Sequence, residues 1–581
     1  MRSTRLACLV LLATAACGDG GTIADAGPDV PDVEPDGTDA DTGPDAAEAD
    51  VDDAPDVPAD PWAGVTIVEA RAPDRFSVTV TFSRDPGRDA AEVPDVYAIA
   101  GAGGTLAVEA AAYDPATLTT TLVTAKQKLG VEHTVVVDTG VPGGELSASF
   151  VSADTADLWT SDLVTFEERL AHTVRGAIGE RCVVYTEGDR TARVPQAWLD
   201  YFDSEVHPLE SSLFREPPDR DGNGKIVFAV VNGNGFSGYF NPADGMSDEE
   251  ARRVWGTHSN EMEVLYIDAD IVGYGGGYWR TVVPHEYQHL LYAEEHPDIW
   301  DDWPYHNEGL AECAVRAVNG DNDYAVSAYF DDPSGIIAGG LSMVHWSYAQ
   351  YDNYALAYLF WSYVAAQLDG VSTFSDVFHL PSGSPDVVDE YLRRRLGAFN
   401  DVQRDSLIAL WLKEASGTYG YGDMVDLSAE GLPPRIASPG AGGLMLEPFA
   451  GTFVTCATSP LDYSATTGLD IVYVGLNGAG AVDMEAPFDV TGGAALVYNS
   501  RFEFRSFVGQ PAGLPYPSRE EPLGFAPAAS PRRFSAAWAD PPPLPPVPSA
   551  PFTQWRSMMT RLGLLRPSTG APTLPDGPPV P

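Results

Sequence analysis

Two stretches of low complexity bound what this chain can fold. From Gly18 to Asp60 there are 15 acidic residues and no Lys or Arg, in a repeat of Asp, Pro, Ala, Val and Gly without one aromatic side chain. Self-repulsion and proline keep such a segment extended, and it has too little apolar area to bury. Beyond Gln510, 19 of the last 71 residues are proline, which favours polyproline II or disorder over a packed core. Folded structure is therefore expected between about Trp62 and Gln510, and a chain of 581 residues suggests two to four domains.

The charge balance narrows the partners. Lys and Arg total 34 against 84 Asp and Glu, a formal net charge of −50. A surface this acidic cannot neutralise a run of phosphates, which argues against nucleic acid and against docking on an anionic bilayer. The remaining negative charge favours solubility and the attraction of cations or basic substrates. Hydrophobic residues at 44% and aromatics at 10% are ample for packed cores.

The N-terminus reads as an export signal. Arg2 and Arg5 precede an apolar run from Leu6 to Ala16 that is too short to span a bilayer. Its end, Thr14-Ala15-Ala16-Cys17, resembles the lipobox of bacterial lipoproteins, with Thr14 where Leu is commoner. The resemblance implies cleavage before Cys17, lipidation of its thiol, and a lipid anchor on the outer membrane or cell surface, with the chain on the extracellular side. At roughly 3 Å per residue the acidic linker would hold the next domain on the order of 100 Å away. Cys182, Cys313 and Cys456 are left, enough for one disulfide with a thiol over, and the sequence does not choose the pair.

Periodicity changes three times along the folded part. From Trp62 to about Gly143, alternating strands at 65–68, 76–82, 118–123 and 133–137 are separated by Gly, Pro and Asp, the pattern of a small β-sandwich. Val78-Thr79-Val80-Thr81-Phe82-Ser83, followed by Tyr97, resembles bacterial Ig-like surface modules. From about Ala153 to Ile436, helical periodicity is expected at 165–177, 195–214, 281–295, 307–318, 354–368 and 402–416, with short buried strands at 226–231 and 264–267. Strands followed by a helical block suggest an α+β domain. Short β-like runs return at 453–456, 470–474 and 495–498.

The chemistry is concentrated in Val283-Pro284-His285-Glu286-Tyr287-Gln288-His289. Histidines four residues apart share one helix face and can bind one Zn²⁺, while Glu286 beside them can take a proton from water. A motif of this form is expected by chance ~0.01 times in such a chain. A catalytic zinc needs a third protein ligand. Asn307-Glu308-Gly309-Leu310-Ala311-Glu312 offers Glu308 from a second helix, with Glu312 one turn beyond it to accept a hydrogen bond from a ligand histidine and fix its tautomer. Pro284 must lie in the first turn of the metal helix or kink it.

This pair of motifs resembles the gluzincin metallopeptidases, and more closely the hyicolysin family of extracellular bacterial zinc proteases. The likeness extends to Asp219-Arg220-Asp221-Gly222-Asn223-Gly224-Lys225, Gly238-Tyr239-Phe240, Ser259-Asn260-Glu261, Leu265-Tyr266-Ile267-Asp268 and the run Tyr354 to Phe360. It implies a zinc endopeptidase in which His285, His289 and Glu308 hold Zn²⁺ and Glu286 is the general base. Tyr354, from its place in the matching segment, is the candidate for stabilising the oxyanion, with His345 and Tyr351 as rivals. The expected organisation is a signal peptide at 1–16, the acidic linker at 17–61, an Ig-like β-sandwich at 62–152, a gluzincin domain at 153–436, a small C-terminal β-domain at 437–510 and the Pro-rich tail at 511–581.

A second metal is suggested by Asp219-x-Asp221-x-Asn223-Gly224, which resembles the first half of a Ca²⁺ loop but has Val230 where a closing carboxylate is required. Gly275-Gly276-Gly277 before the metal helix reads first as a flexible turn, and would also let a substrate backbone approach closely. Two other classes fit the same sequence: an inactive surface-binding or structural lipoprotein, and a zinc hydrolase that does not cleave peptides.

Overall fold

The computed structural model describes residues 60–507, apart from 166, 189–193, 234, 274–276, 298–302, 333–334, 347–350, 428–435, 438–443, 456–468, 475–481, 484–493 and 502–504. The signal sequence, Cys17, nearly all of the acidic linker, Cys456, Gly275, Gly276 and the Pro-rich tail lie outside the described residues. The chain is multidomain and α+β, with several sheets and a block of helices.

The first domain is built from β1 (Ile67–Asp74), β2 (Ser77–Phe82), the short helix α1 (Arg88–Ala91), β3 (Tyr97–Gly101), β4 (Gly104–Leu106), β5 (Val108–Asp114), β6 (Thr119–Thr124), β7 (Glu132–Val137) and β8 (Leu146–Val151). They form two four-stranded antiparallel sheets, ordered β1-β2-β6-β5 and β4-β3-β7-β8. Alternate residues face inward. Val78, Val80 and Phe82 of β2, Leu122 of β6 and Val135 and Val137 of β7 meet in one core.

The second region opens on a six-stranded sheet. Its strands are β9 (Thr155–Ser161), β10 (Glu168–Ile178), β11 (Cys182–Glu187), β12 (Ile226–Val231), β13 (Gly238–Phe240) and β14 (Val264–Asp268), in the order β13-β14-β12-β11-β10-β9. The central β11, β12 and β14 are parallel, and β13 closes one edge antiparallel to β14. Every residue of β12 is buried, as a strand covered on both faces requires. Val184, Phe228, Val230, Leu265 and Ile267 face the helices. Val183, Tyr185, Val227 and Ala229 face a smaller core that takes in Leu129 from the first domain.

The helix expected at 165–177 is instead strand β10. The apolar residues that gave it helical spacing, Leu170 and Val174, are exposed at 38% and 41%. Ala171 and Thr173 are the ones buried, on the two-residue period of a strand. Pairing with β9 on one side and β11 on the other satisfies the backbone of β10, and that tertiary context overrides the local pattern.

Helices follow: α2 (Gln196–Tyr201), α3 (His207–Leu213), α4 (Asp248–Val254), α5 (Trp279–Glu295), α6 (Pro304–Asn319), α7 (Asp323–Asp331), α8 (Tyr351–Gln367), α9 (Ser372–Phe378), α10 (Pro385–Arg393) and α11 (Phe399–Leu412). A π-helical stretch, Phe202–Val206, joins α2 to α3. Because α5 begins at Trp279, Pro284 lies inside the helix rather than in its first turn. Proline cannot donate to the carbonyl four residues earlier. That carbonyl, on Arg280, accepts from Asn319 Nδ2 at 3.0 Å and from Tyr201 OH at 3.2 Å instead. The proline thus fastens the start of α5 to the end of α6.

The last strands are β15 (Ile436–Ala437), β16 (Leu444–Leu446), β17 (Gly451–Thr455), β18 (Asp470–Val474), β19 (Val482–Asp483), β20 (Ala494–Tyr498) and β21 (Arg505–Phe507), in sheets ordered β15-β17-β20-β18-β19 and β16-β21. Phe453, Leu496 and Tyr498 share the helical core, the Trp411 ring packs tilted against Phe453, and Gln403 of α11 donates to the Phe449 carbonyl at 2.7 Å. Cys182 and Cys313 are buried free thiols. Among the described residues no helix is long and apolar enough to cross a membrane.

The contact of α6 with α8 sets the separation of the helices around the site. A Cβ at Gly309 would stand 2.6 Å from Trp361 Cδ1 and 3.0 Å from Ala357 Cβ. Alanine normally gains about 1 kcal/mol over glycine in a helix, but here the overlap outweighs it. Gly309→Ala is expected to destabilise by about 1–3 kcal/mol, read as a lower thermal midpoint; an unchanged or higher midpoint would show that the two helices have slack.

Candidate active site

Helices α5 and α6 lie against each other and bring three donors together. His285 and His289 from α5 and Glu308 from α6 each offer an atom within 4.8 Å of the others, and all three are buried. His289 Nε2 is 3.1 Å from His285 Nε2 and 3.1 Å from Glu308 Oε2, and His285 Nε2 is 3.3 Å from the same oxygen. The opposite ring nitrogens decide which atoms carry lone pairs. His289 Nδ1 donates to Asn307 Oδ1 at 2.9 Å, and His285 Nδ1 faces Glu312 Oε1 at 3.4 Å. A proton held on each Nδ1 leaves both Nε2 atoms as acceptors aimed at one point shared with a carboxylate oxygen.

Three converging lone pairs repel one another unless a cation lies between them. Ligand atoms about 2.0–2.1 Å from a tetrahedral ion stand about 3.3–3.4 Å apart, close to the spacings observed here. Two imidazoles and one carboxylate are also a donor set suited to Zn²⁺, so the residues present fit the metal that their sequence pattern implies. The local field favours positive charge. Burial alone would raise Glu308, yet the facing His289 and His285 hold it down at about 2. Burial would lower His285, but Glu308, Glu312 and Glu286 together raise it well above its usual range.

Glu286 is fully buried, and neither carboxylate oxygen has a hydrogen-bond partner. Burial is the main force pushing its pKa up to about 7, with His285 and His289 pulling the other way. Edge strand β13 comes so close that a Cβ on Gly238 would lie 2.9 Å from Glu286 Cγ and 2.5 Å from Val282 Cγ1. Glu312 accepts from Asn322 Nδ2 at 2.6 Å and from Tyr351 OH at 3.2 Å, which holds it against His285. A small cavity beside His285 and Glu312 is lined by Tyr278, Tyr324 and Tyr351.

The three oxyanion candidates separate. Tyr354 is buried with its ring 6.1 Å from the His285 ring and stacked on Tyr351 at 5.6 Å. Tyr351 is engaged with Glu312, and His345 Nδ1 lies 3.4 Å from Glu447. Asn307, Asn322 and Gly238 do not stand out in the sequence as site residues. Asn307 adjoins Glu308, and its role depends on the rotation of α6 against α5, which spacing alone does not give. At the expected Ca²⁺ loop, Asn223 Oδ1 accepts from the Lys225 N–H at 2.6 Å, and the acidic cluster there is Asp219, Asp221 and Glu263.

A curated relative matches part of the chain. The chain is similar to a neutral metalloprotease. That protein, ShpI of Staphylococcus hyicus, is 27% identical over 250 residues, which make up 38% of this chain and 54% of the relative. The chain thus spans about half the length of the curated relative it matches, and the likeness supports a metallopeptidase with a metal cofactor. No family model matches the chain. Among solved structures, surface layer protein SbsC (domains 1–6) is 19% identical over 19% of this chain and 17% of that one, with a TM-score of 0.15. The N-terminal part of the same S-layer protein is 17% identical over 20% and 35% of the two chains, with a TM-score of 0.14. Scores this low carry nothing about fold or function.

Residues that orient the ligands should matter almost as much as the ligands. Asn307→Ala and Glu312→Gln are each expected to weaken zinc binding about 10–100-fold, measured by competition with a chelating indicator. Because His285 holds its proton well above the usual range, metal affinity should fall as pH drops through neutrality. Affinity independent of pH between 8 and 6 would contradict this arrangement.

Proposed function

We propose that the protein is a secreted, lipid-anchored, zinc-dependent endopeptidase of the gluzincin type. The observation that carries the catalytic part is the placement of a buried, unpartnered Glu286 beside the His285–His289–Glu308 cluster. Distant similarity to a neutral metalloprotease supports it. Export and lipid anchoring rest on the basic start, the short apolar run and Thr14-Ala15-Ala16-Cys17. The two antiparallel sheets of the first domain serve on this reading as an Ig-like spacer.

His285, His289 and Glu308 would hold the zinc, which when bound polarises the scissile carbonyl and lowers the pKa of water toward neutrality. Glu286 supplies the proton traffic. A carboxyl whose pKa lies near the working pH can take a proton from the attacking water and return it to the leaving amine. Burial keeps bulk water from competing for that proton. Glu312 and Asn307 keep the imidazoles in the tautomers that present Nε2. Tyr354, next to His285, is the hydroxyl assigned to the developing oxyanion.

Glu286→Gln removes the base while keeping the shape of the side chain. It is expected to lower peptide hydrolysis by about 100-fold or more while one zinc per chain is retained. His289→Ala should lose the zinc itself. If the wild type carries stoichiometric zinc and cleaves no member of a peptide or protein library, the reading fails.

A further inference from the structure

The second acidic cluster lies away from the zinc helices, in the loop before β12. Asp219, Asp221 and Glu263 each offer a carboxylate oxygen within 4.8 Å of the others. Glu263 is the unexpected member, since it arrives from the separate segment that leads into β14. It is only 4% exposed. Its Oε1 accepts from the Arg220 N–H at 2.9 Å, whereas its Oε2 is buried without a hydrogen-bond partner. Asp221 has the same division. Oδ1 accepts from the Asn223 N–H at 3.1 Å and the buried Oδ2 has no partner.

Two unpartnered carboxylate oxygens aimed into one acidic cluster are costly unless a cation is bound there. Arg75 and Lys128 face Asp221 and offset some of its charge. One bond of each goes elsewhere, Arg75 Nε to the Gln127 carbonyl at 3.1 Å and Lys128 Nζ to the Gly222 carbonyl at 3.0 Å. Burial pushes Asp221 up to about 6 against the pull of Arg75 and Lys128, and Glu263 up to about 7, with the neighbouring Asp221 and Asp219 adding to the rise.

We propose that Asp219, Asp221 and Glu263 form a calcium site in which Glu263 supplies the closing carboxylate that the loop itself lacks. All-oxygen ligation with room for water on the exposed Asp219 side is the chemistry of a hard cation with six to eight ligands. The ion joins parts of the molecule that are distant in sequence. Lys128 and Leu129 of the first domain touch the loop through the Gly222 carbonyl and Asn223 Nδ2. Arg220 within the loop is paired with Glu294 near the end of α5. Calcium therefore braces the β-domain and the far end of the metal helix together. The proposal is independent of the protease reading.

The test uses the full mature chain, zinc-loaded and freed of calcium on a chelating resin, titrated with CaCl₂ by calorimetry and thermal shift. The wild type is expected to bind one Ca²⁺ and to gain thermal stability from it. Glu263→Gln and Asp221→Asn should each weaken binding about tenfold or more, with zinc content unchanged, and His289→Ala should bind Ca²⁺ as the wild type does. Asp219→Asn, at an exposed position, provides the same test should either buried variant fail to fold. No uptake by the wild type at millimolar Ca²⁺, unchanged affinity in the folded variants, or equal affinity for Mg²⁺ would overturn the assignment.

Discussion

The convergence of two imidazole lone pairs and one carboxylate oxygen at a buried point is the constraint on which the rest of the helical region depends. It is unfavourable without a cation, and it persists only because surrounding groups hold each member in place. Asn307 and Glu312 fix the rings, while Asn322 and Tyr351 fix Glu312. Asn307 and Glu312 lie on α6, Asn322 caps α7 and Tyr351 begins α8, so the site records the packing of several elements rather than the sequence of one helix. Its full burial, with His289 and Glu286 at 0% exposure, makes any misfit expensive.

The fold meets that demand through close backbone approaches. Gly309 lets α8 lie on α6, and Gly238 lets the edge strand reach Glu286. Pro284 removes one donor from α5 and thereby frees the Arg280 carbonyl to receive Asn319 and Tyr201. What would be a defect in an isolated helix becomes a fastening between the two helices that carry the ligands. The parallel strands β12 and β14 share an apolar core with α5 through Phe228, Leu265 and Ile267.

Much of this is local enough to be read from the sequence. A helical i, i+4 pair states its own geometry, so His285 and His289 declare a shared face, and the long apolar periodicity of 354–368 gives α8 nearly to its ends. Where partners come from elsewhere, local pattern misleads. Leu170 and Val174 have helical spacing, yet β9 and β11 claim the backbone of β10. Asp219 and Asp221 stand in a pattern that suggests a cation loop, but nothing near them points to Glu263, which the parallel pairing of β12 with β14 brings alongside. The last strands suggest a body of their own by composition, whereas Phe453, Leu496 and Tyr498 join the core of the helices.

The joint between the first domain and the six-stranded sheet is polar and short. Asp154 is held by Arg71 of β1 at 2.8 Å and by Arg175 of β10 at 2.6 Å, and Lys126 is paired with Glu261 at 2.7 Å. A joint clamped at several points does not swivel freely. The joint therefore fixes how the buried metal site is oriented relative to the first domain. A change at Asp154 would leave the metal ligands in place while loosening the angle between the two sheet systems that it clamps.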